Sequence, residues 1–214
     1  ETGGELLFQF SQVKLTDDAI NSGNYQMVEN PMRFALFFHL GQYAHMDFTN
    51  NLGLYSGLAI RNVGFISDEK INTDLDRDPT KLEDYKIIRR SYTLGIPLAI
   101  KLGSFDDHFY FLAGGEIEWN FAYKEKYWNA NTRSGAKTKY SEWFANQSPT
   151  FIPSIFAGVQ FPKGIALKFK YYLNDFIDNT YTSKNAVLDL TRYKKTTVMY
   201  LSLSWNIKIE TSKK

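Results

Sequence analysis

Apolar and polar residues alternate with a period of two along most of the chain. In the segment 92–102, Tyr92, Leu94, Ile96, Leu98, Ile100 and Leu102 fall on one face and Thr93, Gly95, Pro97, Ala99 and Lys101 on the other, which fits a strand and not a helix. The same alternation predicts eight strands, at approximately 6–15, 32–45, 52–65, 90–103, 109–126, 151–161, 165–177 and 195–209. Short links follow strands two, four and six, around 47–51, 104–107 and 162–164. Long polar links follow strands one, three, five and seven, around 16–31, 66–89, 127–150 and 178–194. An even set of antiparallel strands with every short turn at one end and every long loop at the other is the plan of a membrane barrel. The expectation is an all-β, eight-stranded antiparallel transmembrane β-barrel, with short periplasmic turns and long extracellular loops, in which residues 1–214 form a single domain.

Alternation alone does not say whether the apolar face meets a soluble core or lipid. The polar face decides. It carries Gly53, Gly57, Ala59 and Arg61 on strand three, Gly95, Ala99 and Lys101 on strand four, Gly114, Glu116, Glu118 and Asn120 on strand five, and Lys168 and Lys170 on strand seven. Mid-strand glycine is costly on an open surface, whereas small residues beside long charged ones suit a crowded lumen. The apolar face is almost uncharged across Phe34/Leu36/Phe38/Leu40, Leu52/Leu54/Leu58/Ile60, Ile117/Trp119/Phe121 and Leu201/Leu203/Trp205/Ile207. A Lys or Arg there would cost about 2–4 kcal/mol at the bilayer midplane.

Composition agrees once the two faces are separated. The mean hydropathy is on the polar side, yet the chain holds 17 Phe, 14 Tyr and 4 Trp, and several of these rings fall near strand ends, as interfacial girdles do. No apolar run approaches the roughly 18 residues of a membrane helix. A net charge of +2 argues against a nucleic-acid binder. The absence of cysteine and the scatter of His39, His45 and His108 argue against disulfides and zinc. The chain starts at Glu1 without Met and shows no signal peptide, so a processed or trimmed form is expected.

The segment Tyr92–Leu102, with Phe109–Gly115, Phe156–Phe161, Lys168–Tyr172 and Tyr200–Trp205, resembles the small outer-membrane β-barrel family of Bacteroidota, the PorT-like or OmpX/OmpA-like barrels. The resemblance spans nearly the whole chain, and it implies a barrel in the bacterial outer membrane and not an activity. The family commonly ends close to a terminal aromatic; here Trp205 is followed by nine further residues.

Candidate chemistry falls into four groups. Glu116 and Glu118 share a strand face with Arg61, Lys101, Lys168 and Lys170, and a luminal ion network is expected because buried charges must be paired. Such a network would fill an eight-stranded interior. Arg89, Arg90, Lys124, Lys126, Arg192, Lys194 and Lys195 gather near the loop end, where they suit either lipopolysaccharide phosphates or plain solubilising charge. Tyr127, Trp128, Tyr140, Trp143 and Phe144 mark the 127–150 loop as either a partner contact or a lid. Asp74, Asp76 and Asp78 have a calcium-loop spacing, but Pro79 and Tyr85 stand where that loop needs Gly and Glu, so no metal and no cofactor are expected.

None of the histidines has the His-x-Ser setting that lipid A deacylases resemble, so the protein is expected not to be an enzyme. Resemblance to PorT-like proteins implies a structural or interaction subunit of a larger outer-membrane complex, in protein secretion or membrane biogenesis. Its partners would be outer-membrane lipid, lipopolysaccharide and other outer-membrane proteins. The alternatives are an independent adhesin or ligand-binding barrel and, after it, a narrow channel.

Overall fold

The computed structural model describes residues 1–36, 39–73 and 81–207. Its strands are β1 (Thr2–Leu15), β2 (Tyr25–Glu29), β3 (Arg33–Ala35), β4 (Leu40–Asp47), β5 (Leu52–Ile71), β6 (Glu83–Ser104), β7 (Phe109–Trp128), β8 (Lys137–Trp143), β9 (Phe151–Gln160), β10 (Ile165–Tyr172) and β11 (Tyr193–Ile207), with a short helix, α1 (Asp17–Asn21), in the first loop. The ladders are antiparallel, and β11 pairs with β1 from Tyr193↔Leu15 to Ile207↔Thr2, closing the sheet on itself. β2, β3 and β4 are one interrupted barrel strand and β8 and β9 another, so the ring has eight strands. Closure joins the first strand to the last, the condition for strands to satisfy their backbone groups in lipid, and leaves unpaired stretches at the gap in the second strand and along β2 and β8 among the described residues.

The polarity of the wall is inverted relative to a soluble protein. Leu40, Leu58, Ile96, Leu98, Ile100, Ile117, Ile155 and Phe169 stand exposed on the outside, while Arg61, Lys101, Glu116, Glu118, Lys168 and Lys170 are buried inside. Rings bound this apolar band. Phe109 packs against Phe111 and Phe161 at the short-turn end. At the other end Tyr92, Trp119, Phe121, Trp143 and Phe144 form one cluster with centroids 5.8–6.5 Å apart.

β5 and β7 have 20 residues each and β6 has 22, about twice the ~10 that a tilted strand needs to cross the hydrocarbon. The links expected at 66–89 and 127–150 are therefore largely strand. β5 and β6 stay paired out to Ile71↔Glu83, and β8 folds back along β7. Beyond the band polarity no longer follows the face, because Ile71 and Ile87 are buried on the inward side with Glu69 and Arg89 while Asp68, Lys86 and Arg90 share the outward side with Ile66 and Ile88, yet the pairing continues. Strand seven, expected to reach 177, ends at Tyr172, and the link that follows is a plug: Phe176, Ile177, Val187 and Leu190 are buried in the barrel mouth, with Phe176 edge-on to Phe65 at 5.7 Å.

The second barrel strand has a repaired gap. From Ile60 to Asp68 β5 takes eight steps where its partner takes eleven, from Leu40 back to Glu29. Within this stretch the described β3 pairs with β1 and not with β5, and side chains take up ladder positions of β5. His39 Nδ1 accepts from the Asn62 N–H at 3.3 Å and Gln9 Oε1 from the Gly64 N–H at 2.8 Å. Gln9 Nε2 and Arg33 donate to the Asn62 carbonyl at 2.9 and 3.0 Å. Gln9→Leu strands the buried Gly64 amide, at a cost of about 1–3 kcal/mol. The urea midpoint for loss of the heat-modifiable folded band should fall accordingly, whereas Gln12→Leu, at an exposed position of the same strand, should leave it in place.

Candidate functional site

Two tiers of charge fill the barrel. In the lower tier Arg61 reaches across the lumen: Nε meets Glu5 at 3.2 Å, and Nη1 contacts Glu116 and, at 3.4 Å, Glu118. Lys170 bridges Glu116 and Glu118 at 2.7 and 2.5 Å, and Lys168 meets Glu5 at 2.6 Å. Tyr43, Thr93 and Tyr172 donate hydroxyls to the same carboxylates. Gly95 makes room for this, since a Cβ there would collide with Glu116 Oε1. The void left beside Arg61, Lys168 and Lys170 is about 10 Å³, space for roughly one water.

Of the residues expected in a luminal network, Arg61, Glu116, Glu118, Lys168 and Lys170 come together. Lys101 does not. It lies nearer the short-turn end, paired with Asp47 at 2.5 Å and stacked over Phe105 and Tyr110, on a vestibule of about 500 Å³. Glu5 joins the network from one residue before the strand expected at 6–15, with the inward parity of Leu7 and Gln9.

The upper tier lies beyond the apolar band. Arg89 pairs with Glu125 at 3.2 Å and Glu69 at 3.5 Å, and Arg192 pairs with Glu69 at 3.1 Å. Tyr193 donates to Glu69 at 2.5 Å and Tyr123 to Glu125 at 2.9 Å. Both arginines also donate to the Val187 carbonyl of the plug, at 3.2 and 3.1 Å. Arg89 and Arg192 are thus buried ion-pair partners and not lipid contacts. Burial works to raise the Glu69 carboxyl, but the Arg192 and Arg89 guanidiniums, with hydrogen bonds from Ser67 and Tyr193, hold it below the usual carboxylate range.

The other members of the expected surface groups are divided. Lys194 and Lys195 lie on β11, across the ring from β6, and Lys194 pairs with Asp17 at 3.1 Å. Arg90, Lys124 and Lys126 face outward on β6 and β7. Tyr127 packs edge-on to Tyr85 at 6.1 Å, Trp128 is buried, and Tyr140 bonds to Glu142 and accepts from Gln147. Tyr127 and Tyr140 are half-buried on the inner side of a folded hairpin and Trp128, on its outer side, lies beneath Lys137, while Trp143 and Phe144 are each 66% exposed. The 127–150 segment is neither an open loop nor the lid; the plug after β10 covers the mouth. Asp74, Asp76 and Asp78 lie outside the described residues, and among the described residues no cluster of His, Asp and Glu could hold a metal.

One irregularity delivers the outward cations. Asn120 opposes Thr93 and Ala122 opposes Tyr92, so Phe121 is an extra residue in β7. Continued alternation from Glu116 and Glu118 would aim Lys124 and Lys126 into the lumen. The bulge exchanges the faces, sending Glu125 inward and both lysines outward.

Two outcomes are expected. Arg61→Met leaves Glu5, Glu116 and Glu118 short of a cation, which costs about 3–5 kcal/mol. Urea unfolding should show that loss, and adding Glu116→Gln should restore part of it. The depressed Glu69 carboxyl contributes stability that is complete above its ordinary value of 4.5 and is lost as pH falls through the lower folded value. The plug should therefore resist protease at pH 5 and open to an acid-active protease in more acid solution, and Glu69→Gln should flatten that dependence.

No protein-family model matches the chain, and no curated protein matches it. Neither comparison supports the PorT-like resemblance. Among solved structures the chain aligns with the crystal structure of Ail, the attachment invasion locus protein of Yersinia pestis, in complex with the heparin analogue sucrose octasulfate. That alignment has 16% identity, covers 95% of each chain and has a TM-score of 0.28. At that score the fold rests on the chain's own ladders, which close it into an eight-stranded antiparallel β-barrel.

Proposed function

We propose that the protein is a non-enzymatic, non-conducting barrel of a bacterial outer membrane that works as a binding protein, through the folded half beyond its lipid-facing band. The observation that carries this reading is the build of β5, β6 and β7. Their surplus length is a continuous sheet with its own ionic core, and surfaces ordered in advance lose less entropy on binding. The uncharged outer wall, the closed ladder and the two ring girdles support the membrane location. The near-absence of space around Arg61 and the plug at the mouth argue against a channel.

A second reading, a structural or interaction subunit of a larger assembly in secretion or membrane biogenesis, is favoured by Trp143 and Phe144, which offer a lateral apolar surface. Gentle detergent extraction followed by mass spectrometry separates the two. A binding barrel should emerge as a lone chain, whereas stoichiometric protein partners, released by Trp143→Ser with Phe144→Ser, would replace it with the subunit reading. In planar bilayers the protein should give no single-channel conductance above baseline, and clear conductance would overturn the non-conducting claim.

A further inference from the structure

We infer that the outer face of β6, β7 and β8, just above the ring cluster, is a docking site for the phosphate groups of an outer-leaflet glycolipid. The inference rests on the outer-membrane location proposed above. Cross-strand register sets the outward residues in rows. Tyr92, Ala122 and Trp143 form the lowest row, Arg90, Lys124 and Ser141 the next, Ile88, Lys126 and Lys139 the third, and Lys86, Trp128 and Lys137 the fourth. Lys86 is neutralised by Asp68 at 2.6 Å. Arg90, Lys124, Lys126, Lys137 and Lys139 have no carboxylate within ion-pair distance among the described residues.

This arrangement is unfavourable for the isolated protein. Arg90 directly opposes Lys124, and Lys126 directly opposes Lys139; like charges facing each other across a ladder destabilise it. Burial and the neighbouring charges of Arg90, Lys137, Lys139 and Lys124 all push the Lys126 ammonium below its usual range. Rings give partial relief: Arg90 and Lys124 lie 5.7 and 5.0 Å from the ring centre of Tyr92, and Lys137 lies 5.8 Å from that of Trp128. An anion seated between the rows would turn two repulsions into charge-assisted hydrogen bonds.

Depth selects the anion. Successive outward residues of a strand are about 7 Å apart along it, so Arg90 and Lys124 begin within one such step of the interfacial rings. The polar layer outside the hydrocarbon is itself only about 5–8 Å thick per leaflet in an ordinary bilayer. Cations that start at the girdle meet lipid phosphates, and the next row, with Lys126 and Lys139, meets a head group that is itself large and anionic. The rings beneath supply the apolar and sugar-facing contact that a lipid-linked saccharide needs. A free polyanion would have no use for the adjoining girdle.

The test measures glycolipid bound to the barrel purified from the outer-membrane fraction in mild detergent, by native mass spectrometry. The wild-type chain should carry phosphorylated glycolipid. Arg90→Gln/Lys124→Gln/Lys126→Gln/Lys139→Gln should carry at least tenfold less, and a control of equal charge change, Lys14→Gln/Lys81→Gln/Lys163→Gln/Lys184→Gln, should match wild type. The second measurement needs no variant. In phosphatidylcholine vesicles, bisphosphorylated glycolipid should raise the unfolding temperature of the wild-type barrel and its dephosphorylated form should not. Equal glycolipid on all three chains, or an equal response to both lipid forms, would overturn the inference. So would a soluble sulfated polysaccharide that binds this face and is not displaced by the glycolipid. Absence of the wild-type chain from the outer-membrane fraction would instead remove the location on which the inference rests.

Discussion

Closing the sheet between β1 and β11 puts the outward side chains of the apolar band against lipid and the inward ones in a narrow lumen, and the remaining features follow from that constraint. Charge excluded from the wall has to be inside, and charge inside has to be paired, because an isolated buried ion is too costly to keep. Arg61 answers both demands by contacting carboxylates from β1 and β7 across the barrel. The fit is tight enough that Gly95 must lack a side chain for Glu116 to reach it. A lumen satisfied in this way leaves a void of only about 10 Å³ beside Arg61, which is why the proposed function is sought at the surfaces.

Outside the band the constraint changes, and the strands change with it. Lipid no longer forbids charge on the outer face, and the Phe121 bulge reverses the faces of β7 at the level where it becomes allowed. Glu125 is turned in to meet Arg89, while Lys124 and Lys126 are turned out above the rings. One inserted residue therefore supplies the upper ion core with its carboxylate and the outer face with its cations.

This explains which parts were readable from the sequence. Alternation within the band identified the barrel, its strand order and the faces of Arg61, Glu116, Glu118, Lys168 and Lys170, because lipid enforces period two there. Arg89 was readable too, having the inward parity of Ser91, Thr93 and Lys101, but its place beside Arg90 invited a surface assignment. Arg192 precedes its strand and carries no parity signal. The extent of β5, β6 and β8 was hidden because polar residues on paired strands look like loops once the lipid-facing alternation ends. The gap in the second strand was equally silent, since its repair uses Gln9 and His39 from distant positions.

The upper tier bears on how the proposed binding face can keep its shape without a bilayer to support it. Glu69 on β5 is held by Arg89 of β6 and Arg192 next to β11, and Glu125 of β7 is held by Arg89, so one ionic cluster ties the β5–β6–β7 sheet to the far side of the ring. The same two guanidiniums bind the Val187 carbonyl, and Arg192 also takes those of Ala186 and Asp189, so the plug is fastened by the groups that fasten the sheet. An apolar core would hold these strands together, but it is non-directional. Guanidinium forks with fixed partners hold them in one relative position. Rows of cations aligned across three strands depend on that position, because a shift of a single residue would turn Lys124 and Lys126 back toward the lumen.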